Sequence, residues 1–293
     1  MSDSLPADYS VEERLGGGTP IYRSEVAAPV RGGGPPEVPY RRLVYLCDLT
    51  RELVAREMKG RYKRSVLGVG WTLLPPLAQV LVFAFLFRRV LPLGVADYPS
   101  FLLTGVLVWS WFQLSLHAAC ASIVENKALI LQPGFPPAVL PVVTVATHLV
   151  HFLLAMAVLL PVIVATGHPV TPALICLPVL VGVQFLMTTS LAYLFASWHV
   201  TFRDTQQALG VALMLFFYLT PVFYTAESVP DRYKVVYEAN PLVHLLEAYR
   251  AVLLNGRWPD PLPLLLIAAG SAALLWFSAR AFVRASHHFV EEL

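Results

Sequence analysis

The chain has 293 residues, of which 57% are hydrophobic and only 14% are charged, and its formal net charge is +2. An ordinary soluble domain carries roughly a quarter charged residues, so the composition argues against one and favours a protein in lipid. The small net charge gives no support to a nucleic-acid partner, and the three cysteines fit neither a disulfide framework nor a zinc site.

The N-terminal part of the chain changes character near residue 40. Residues 1–39 carry two glycine triplets and six prolines, which predicts a disordered cytoplasmic tail because so little apolar surface is available to bury. In residues 40–64, leucines such as Leu46, Leu49 and Leu53 lie near one face of a basic helix. This pattern predicts an amphipathic helix along the membrane interface. A helix docked on a soluble partner is the alternative, and both can hold together.

Uncharged apolar runs come next, each long enough to cross a bilayer core, which takes about 20 residues. They extend over residues 65–87, 98–124, 128–202, 205–226 and 261–279. The longest run is interrupted at Gly167-His168-Pro169, where a helix end and a turn are expected, so it holds two spans. The sequence therefore predicts an all-α integral membrane protein. Its six transmembrane helices lie within residues 65–286, and residues 287–293 form a cytoplasmic C-terminus.

Basic residues set the predicted orientation, because Lys and Arg near span ends are retained in the cytoplasm. Eight of them lie between residues 41 and 64. With this segment inside, Lys127, Arg203 and Arg280 also fall inside. Both termini are then cytoplasmic, and residues 225–260 lie outside.

The predicted outer segment between spans five and six has helical signals of its own. Asn240-Pro241 is typical of a helix start, and Asn255-Gly256 is typical of a helix stop. Apolar residues recur at helical spacing between them, so this helix is expected to dip into the outer interface and pack on the bundle. A second short helix is expected before it, and both are predicted to be re-entrant.

Motifs for catalysis are missing from the sequence. It has no Gly-x-x-x-x-Gly-Lys-Ser/Thr loop and no charged residue near the middle of a span. The chain is therefore expected to be neither an ATPase nor an ion-coupled transporter. His148 and His151 stand three residues apart, but no carboxylate or cysteine close in sequence completes a metal site. They are interpreted as packing or pore-lining histidines, and no cofactor is expected on this chain.

Three groups of residues each admit two interpretations. The basic cluster at residues 61–64 either sets topology alone or also holds an anionic phosphate at headgroup depth. Aromatic residues in spans two and five form either interfacial belts or stacking surfaces for sugars. Ser122 and Glu125 have capping-box spacing before a short cytoplasmic segment, which is either a plain connector or a docking element for a soluble partner.

Short motifs recur along the chain from about residue 61 to residue 256. In chain order they are Arg61-Tyr62-Lys63, Ser65, Leu67-Gly68, Trp71, Leu74, Tyr98-Pro99, Phe101-Leu102-Leu103, Gly105, Trp109, Phe112, Ser122-Ile123-Val124, Asn126, Leu129-Ile130, Phe135-Pro136, Leu140-Pro141, Phe202-Arg203-Asp204, Phe217-Tyr218, Thr220-Pro221, Tyr224, Asn240-Pro241, Tyr249-Arg250 and Leu253-Leu254. This ordered series resembles the polysaccharide-export branch of the ABC-2 transporter permeases, which export O antigen, capsule, teichoic acid and related glycans.

The resemblance implies the membrane subunit of an exporter of polyprenyl-phosphate-linked polysaccharide such as O antigen. It implies a homodimer in the cytoplasmic (inner) membrane. Two separate ATP-binding subunits on the cytoplasmic face would hold ATP and magnesium and drive transport. An ABC-2 exporter of a drug or lipid is the alternative, and the motif from Arg61 to Trp71 argues against it.

The resemblance also implies roles for particular residues. The lipid-headgroup contacts would be Arg61, Tyr62, Lys63 and Arg64. The glycan path would include Trp71, Trp109, Phe112, Phe217, Tyr218 and Tyr224. The contacts that couple the chain to the ATPase would be Glu125, Asn126, Lys127, Arg203 and Asp204. The outer gate would include Asn240, Pro241, Tyr249 and Arg250.

Overall fold

The computed structural model describes residues 39–63, 70–86, 97–225 and 229–286, and within these ranges the chain is helical and has no β-strand. The α-helices are α1 (Pro39–Tyr62), α2 (Gly70–Phe85), α3 (Tyr98–Glu125), α4 (Lys127–Ile130), α5 (Val139–Ala165), α6 (Leu177–Thr201), α7 (Thr205–Leu219), α8 (Lys234–Glu238), α9 (Pro241–Leu253) and α10 (Pro261–Ser286). Turns of 3-10 helix at Pro172–Cys176 and Asp231–Tyr233 precede α6 and α8. The predicted tail, apart from Pro39, and the predicted C-terminus at 287–293 lie outside the described residues.

Four helices in the described part of the chain are long and apolar enough to cross a membrane. They are α3, α5, α6 with its preceding 3-10 turn, and α10, so the chain is a multi-pass membrane protein. The apolar helices α2 and α7 have 16 and 15 residues, fewer than the about 20 that a span needs. α7 covers only part of the predicted run 205–226, because Pro221 has no N–H with which to continue a helix.

The predicted break in the longest apolar run is confirmed. α5 ends at Ala165, and Gly167 adopts a left-handed φ of 84°. The His168 N–H bonds to the carbonyl of Ile163 at 3.2 Å, and the Gly167 N–H bonds to the carbonyl of Val164 at 3.1 Å. These two bonds are those of a Schellman cap, which satisfies the last carbonyls of a helix.

The predicted start and stop of the outer helix are also confirmed. α9 begins at Pro241, and the Asn240 side chain accepts a hydrogen bond from the Leu242 N–H at 3.0 Å. The helix ends at Leu253, and Gly256 lies just beyond it with a φ of 61°. The second short helix predicted before α9 is present as α8.

α3 lies at the centre of the bundle, where it packs against α2, α5, α6, α7 and α9. The Gln184 amide of α6 donates to the carbonyl of Val108 at 2.9 Å, and the Cys120 thiol donates to the carbonyl of Phe195 at 3.7 Å. The paired residues are 76 and 75 positions apart in the two contacts. Because this separation stays nearly constant along the helices, α3 and α6 run parallel.

α5 runs antiparallel to α3. The Ser100 hydroxyl at the start of α3 lies 3.5 Å from that of Thr166 just after α5, whereas the Trp111 indole donates to the carbonyl of Val145 near the start of α5, also at 3.5 Å. This alternation of direction is what successive crossings of a membrane require.

The predicted amphipathic helix α1 packs its apolar face on the start of α5. Leu53 is buried against Val139 and Val143, and two further leucines, Leu46 and Leu49, pack around this contact. The apolar side of α1 is therefore covered, at least in part, by the protein itself.

A buried arginine joins α9 to the segment after α7. Arg250 donates to the carbonyls of Pro221 and Val222, at 2.8 Å in both cases, and its guanidinium carbon lies 3.5 Å from the ring centroid of Phe101 on α3. Only 7% of the arginine is exposed. The planar cation is stabilised by two carbonyl oxygens and an aromatic face instead of water.

Replacement of Gly105 by alanine is expected to disturb this contact. An added Cβ would lie 2.7 Å from the Val222 carbonyl oxygen and 2.8 Å from the Arg250 guanidinium. We expect Gly105→Ala to cost about 1–3 kcal/mol, as overpacking does, and to lower the midpoint of thermal unfolding in detergent. Gly182→Ala is the matched control, because nothing lies within 4 Å of its added Cβ. Equal midpoints for the two variants would contradict this prediction.

Candidate functional site

The predicted headgroup cluster at the end of α1 divides between two environments. Arg61 and Lys63 are exposed. Tyr62 faces α5, and its hydroxyl lies 2.9 Å from Nε2 of His151. Arg64 lies outside the described residues. Arg61 forms an exposed ion pair with Glu57, at 3.5 Å. The described cluster therefore places two cations at the surface, one of them paired with a carboxylate, and anchors a phenol on the bundle.

The two histidines of α5, His148 and His151, lie at this contact between α1 and α5. His148 Nδ1 lies 2.9 Å from the carbonyl oxygen of Thr144, and the rings of His148 and His151 meet edge to face with centroids 5.7 Å apart. His151 has Tyr62 as its partner. Each imidazole thus contacts a protein group, and no set of three metal-ligating side chains occurs among the residues that the structure describes.

The residues predicted to form the glycan path fall into two groups. Trp109, Phe112 and Phe217 are at most 8% exposed, and the ring centroid of Trp109 lies 5.8 Å and 5.6 Å from those of the two phenylalanines. Trp71 and Tyr218, by contrast, are 54% and 57% exposed. A ligand at the subunit surface reaches the second group directly, whereas the first group lies in the packed core.

Tyr224 connects the aromatic residues to α8. Its hydroxyl donates to the carbonyl of Tyr218 at 3.2 Å and lies 2.6 Å from the hydroxyl of Tyr237. Burial and the hydrogen bond with Tyr237 raise the pKa of Tyr224 above its ordinary value. The phenol therefore stays protonated and keeps its donor.

The residues predicted to couple to the ATPase come together at the ends of α3 and α6. Glu125 is the last residue of α3, and Arg203 and Asp204 come just after α6, which runs parallel to α3. The exposed members of this set are Glu125, Lys127, Arg203 and Asp204. They form a polar patch on one end of the bundle.

The capping box predicted at Ser122 and Glu125 is wrong. α3 continues through both residues, and the Ser122 hydroxyl donates back to the carbonyl of Ala119 at 2.7 Å, a bond that serine commonly makes within helices. Asn126 comes directly after α3, and its side-chain amide donates to the carbonyl of Ser122 at 2.9 Å. Asn126 therefore positions the connection to α4.

Three of the four predicted outer-gate residues are buried. Asn240, Tyr249 and Arg250 are 8%, 0% and 7% exposed, and only Pro241 is at the surface. Asn240 donates to the hydroxyl of Thr220 at 3.1 Å. These residues hold α9 against the bundle and against the end of α7.

A polar contact that the sequence analysis missed joins the ends of three helices. His168 Nε2 lies 2.7 Å from a carboxylate oxygen of Asp97, before α3, and Nδ1 lies 3.0 Å from the carbonyl oxygen of Leu254, after α9. Each ring nitrogen of His168 therefore faces an oxygen that can accept a hydrogen bond. His168 and Asp97 lie 71 positions apart in the sequence, so no local pattern predicts their contact. The Gly-His-Pro sequence predicted only the turn that contains His168.

Asp97 has a lowered pKa and an unusual backbone conformation. Burial raises the pKa of its carboxyl group, but hydrogen bonds with Ser100 and His168 and the charge of His168 outweigh that effect and lower the pKa below its ordinary value. Asp97 also has a φ of 43°, which is rare for a residue other than glycine.

Comparison with known proteins places this helical arrangement in a family. The model of the ABC-2 type transporter family matches residues 48–254. The chain belongs to the ABC-2 type transporter family. The matched segment of this ABC-2 chain contains every predicted site residue, from Arg61 to Arg250, and the resemblance inferred from the motifs is confirmed.

Curated relatives match most of the ABC-2 chain. It is 34% identical to the O-antigen export system permease protein RfbA of Myxococcus xanthus over 255 residues, which are 86% of this chain and 98% of that relative. Identity to an RfbA of Klebsiella pneumoniae is 29%, covering 73% of this chain and 83% of the relative. Identity to the polysialic acid transport protein KpsM of Escherichia coli is 22%, covering 70% and 80%.

Replacement of Asp97 by asparagine is expected to have a pH-dependent effect. Because the folded pKa lies below the ordinary value of 3.8, the carboxylate stabilises the fold fully above about pH 5, and this stabilisation is lost as the pH falls through the folded pKa. At about pH 7 we expect Asp97→Asn to cost roughly 1.5 kcal/mol and to lower the thermal midpoint in detergent. The difference in thermal midpoint between wild type and Asp97→Asn should become smaller towards about pH 3.

The exposed Asp48→Asn is the control for this series, and its midpoint should track the wild type at each pH. A gap between wild type and Asp97→Asn that is as large in acid as at neutral pH would contradict the assignment.

Proposed function

We propose that this chain is the permease subunit of an ABC transporter that exports polyprenyl-phosphate-linked polysaccharide, such as O antigen, across the cytoplasmic membrane. The observation that carries the proposal is the 34% identity to an O-antigen export permease over 98% of that relative's length. The relative named for polysialic acid transport extends the support to polysaccharide export in general. The sequence has no P-loop, so separate ATP-binding subunits would hold ATP and magnesium.

The proposed topology has six spans, made of the four long apolar helices together with α2 and α7. Both shorter helices are apolar and pack against α3. α3 and α6 run in one direction and α5 runs in the opposite direction. The C-terminal ends of α3 and α6 therefore lie on the same side of the bundle as the N-terminal end of α5. Basic residues assign that side to the cytoplasm. Both termini are then cytoplasmic, and α8 and α9 are re-entrant helices at the outer face.

A homodimer with two ATP-binding subunits would enclose the glycan path between its two copies. The exposure of Trp71 and Tyr218 supports this arrangement, because flat aromatic faces at the subunit surface offer sugar rings a stacking surface. Trp109, Phe112 and Phe217 would support the path from behind by packing.

Arg61 and Lys63 would bind the phosphate of the lipid carrier. Both side chains are exposed, and a guanidinium binds phosphate oxygens in a bidentate manner. Tyr62 supports this role indirectly, since its contact with His151 fixes the end of α1 on α5. Arg64 is the remaining member of the proposed cluster.

The polar patch at the ends of α3 and α6 would contact the ATP-binding subunit, with Asn126 as a positioning residue. At the other end, Asn240 and Arg250 would make α9 an outer gate that moves together with the end of α7. Their hydrogen bonds to Thr220, Pro221 and Val222 support this coupling.

Reconstitution tests the proposed function directly. The chain is co-expressed with the ATP-binding subunit encoded beside it, purified and placed in liposomes, and ATP hydrolysis is measured with and without polyprenyl-diphosphate glycan. We expect the lipid-linked glycan to stimulate ATP hydrolysis, because glycan binding to the permease and ATP hydrolysis on the partner subunit are coupled within one complex. Stimulation by unrelated lipids or drugs alone would move the assignment to another ABC-2 exporter.

Aromatic substitutions separate a path role from a packing role. Trp71→Ala and Tyr218→Ala should reduce glycan export in cells with little change in thermal midpoint, because both side chains are exposed. Trp109→Ala should instead lower the midpoint by the equivalent of about 3–5 kcal/mol, the cost of removing a buried aromatic ring. Normal export by the Trp71 and Tyr218 variants would remove these residues from the path.

A further inference from the structure

A cavity of about 580 Å³ lies between α8, α9 and the start of α10. Its volume is within the range of pockets that hold small-molecule ligands. The polar side chains in its lining are Lys234, Tyr237, Glu238, His244, Glu247 and Asp260, with valine, alanine and proline between them. None of the roles proposed above uses this space, which we call the outer cavity.

The lining of the outer cavity carries an excess of negative charge. Glu238, Glu247 and Asp260 contribute three carboxylates. The ammonium of Lys234 lies 2.6 Å from the carboxylate of Asp231, which is outside the lining. Carboxylate oxygens accept hydrogen bonds from hydroxyl groups and repel other anions. The lining therefore suits a ligand that is rich in hydroxyls and has no negative charge.

The outer cavity also adjoins the aromatic residues of the proposed path. Tyr237, in the lining, lies 2.6 Å from the hydroxyl of Tyr224. The Tyr224 ring centroid is 5.0 Å from that of Phe223, which is 6.1 Å from that of the exposed Tyr218. A continuous series of rings thus leads from the subunit surface to the cavity.

We infer that the outer cavity binds sugar residues of the exported glycan and selects a glycan whose repeating unit has no acidic sugar or phosphate. This inference rests on the proposed function. Tyr237, Pro259 and Pro263 offer apolar faces to a sugar ring, and the carboxylates accept hydrogen bonds from its hydroxyls. A polyanion such as polysialic acid would be repelled by the excess of negative charge in the lining.

Binding of soluble glycans to the chain and its ATP-binding subunit in nanodiscs tests the inference. The probes are the organism's own surface polysaccharide, freed from its lipid by mild acid, and a short oligosialic acid. Isothermal titration should show oligosialic acid binding at least about tenfold more weakly, because its carboxylates are repelled by the negatively charged lining. A uronic acid, sialic acid or phosphate in the organism's repeating unit would overturn the inference.

Substitutions in the lining locate the binding. Glu238→Gln combined with Glu247→Gln should weaken binding of the polysaccharide about tenfold or more. Glu238→Lys combined with Glu247→Lys should shift the preference towards oligosialic acid. Asp48→Asn is the control, because this exposed carboxylate lies on α1, outside the lining, and the variant should bind as wild type does. Wild-type binding by both double variants would overturn the site.

The two hypotheses fail in different ways. If lipid-linked glycan stimulates ATP hydrolysis by the wild-type complex but the cavity variants bind both probes normally, the export function stands and the cavity site falls. If the wild-type complex shows no stimulation, the export function falls, and the inference falls with it.

Discussion

The burial of one positive charge organises the part of the bundle where α9 meets the turn after α7. A guanidinium away from water needs hydrogen-bond partners for its donors, and Arg250 finds them in the carbonyls of Pro221 and Val222 and in the face of Phe101. These carbonyls point at the arginine, so the chain after α7 has to turn where it does. The same contact leaves room only for glycine at position 105. Three helices are thereby fixed by a single side chain.

Hydrogen bonds between side chains hold α1 along the first half of α5. Glu57 accepts one from Thr147, and the Tyr62 hydroxyl lies 2.9 Å from Nε2 of His151, so α1 is attached to α5 at two points. α5 then leads to His168, which contacts the ends of α3 and α9. In the proposed exporter, one continuous helix therefore connects the site of lipid binding to the outer gate.

Local chemistry was predictable from the sequence, whereas burial inside the bundle was not. Proline, glycine and asparagine signals located the break at Gly167 and both ends of α9, because these residues act on the backbone beside them. Apolar periodicity could not tell that Trp109 is in the core and Trp71 at the surface, since in lipid both environments are apolar. Ser122 had the right spacing for a cap, but a helix that continued through it used the hydroxyl differently.

α3 has the lowest mean hydropathy of the four long apolar helices and is also the most buried of them. Its polar residues Ser100, Thr104 and Ser115 are covered by neighbouring helices, and α5, α6, α7 and α9 come later in the chain. During synthesis, α3 leaves the ribosome before most of the helices that shield it have been made. The polar residues of α3 are therefore covered only once these later helices have been made and have packed around it.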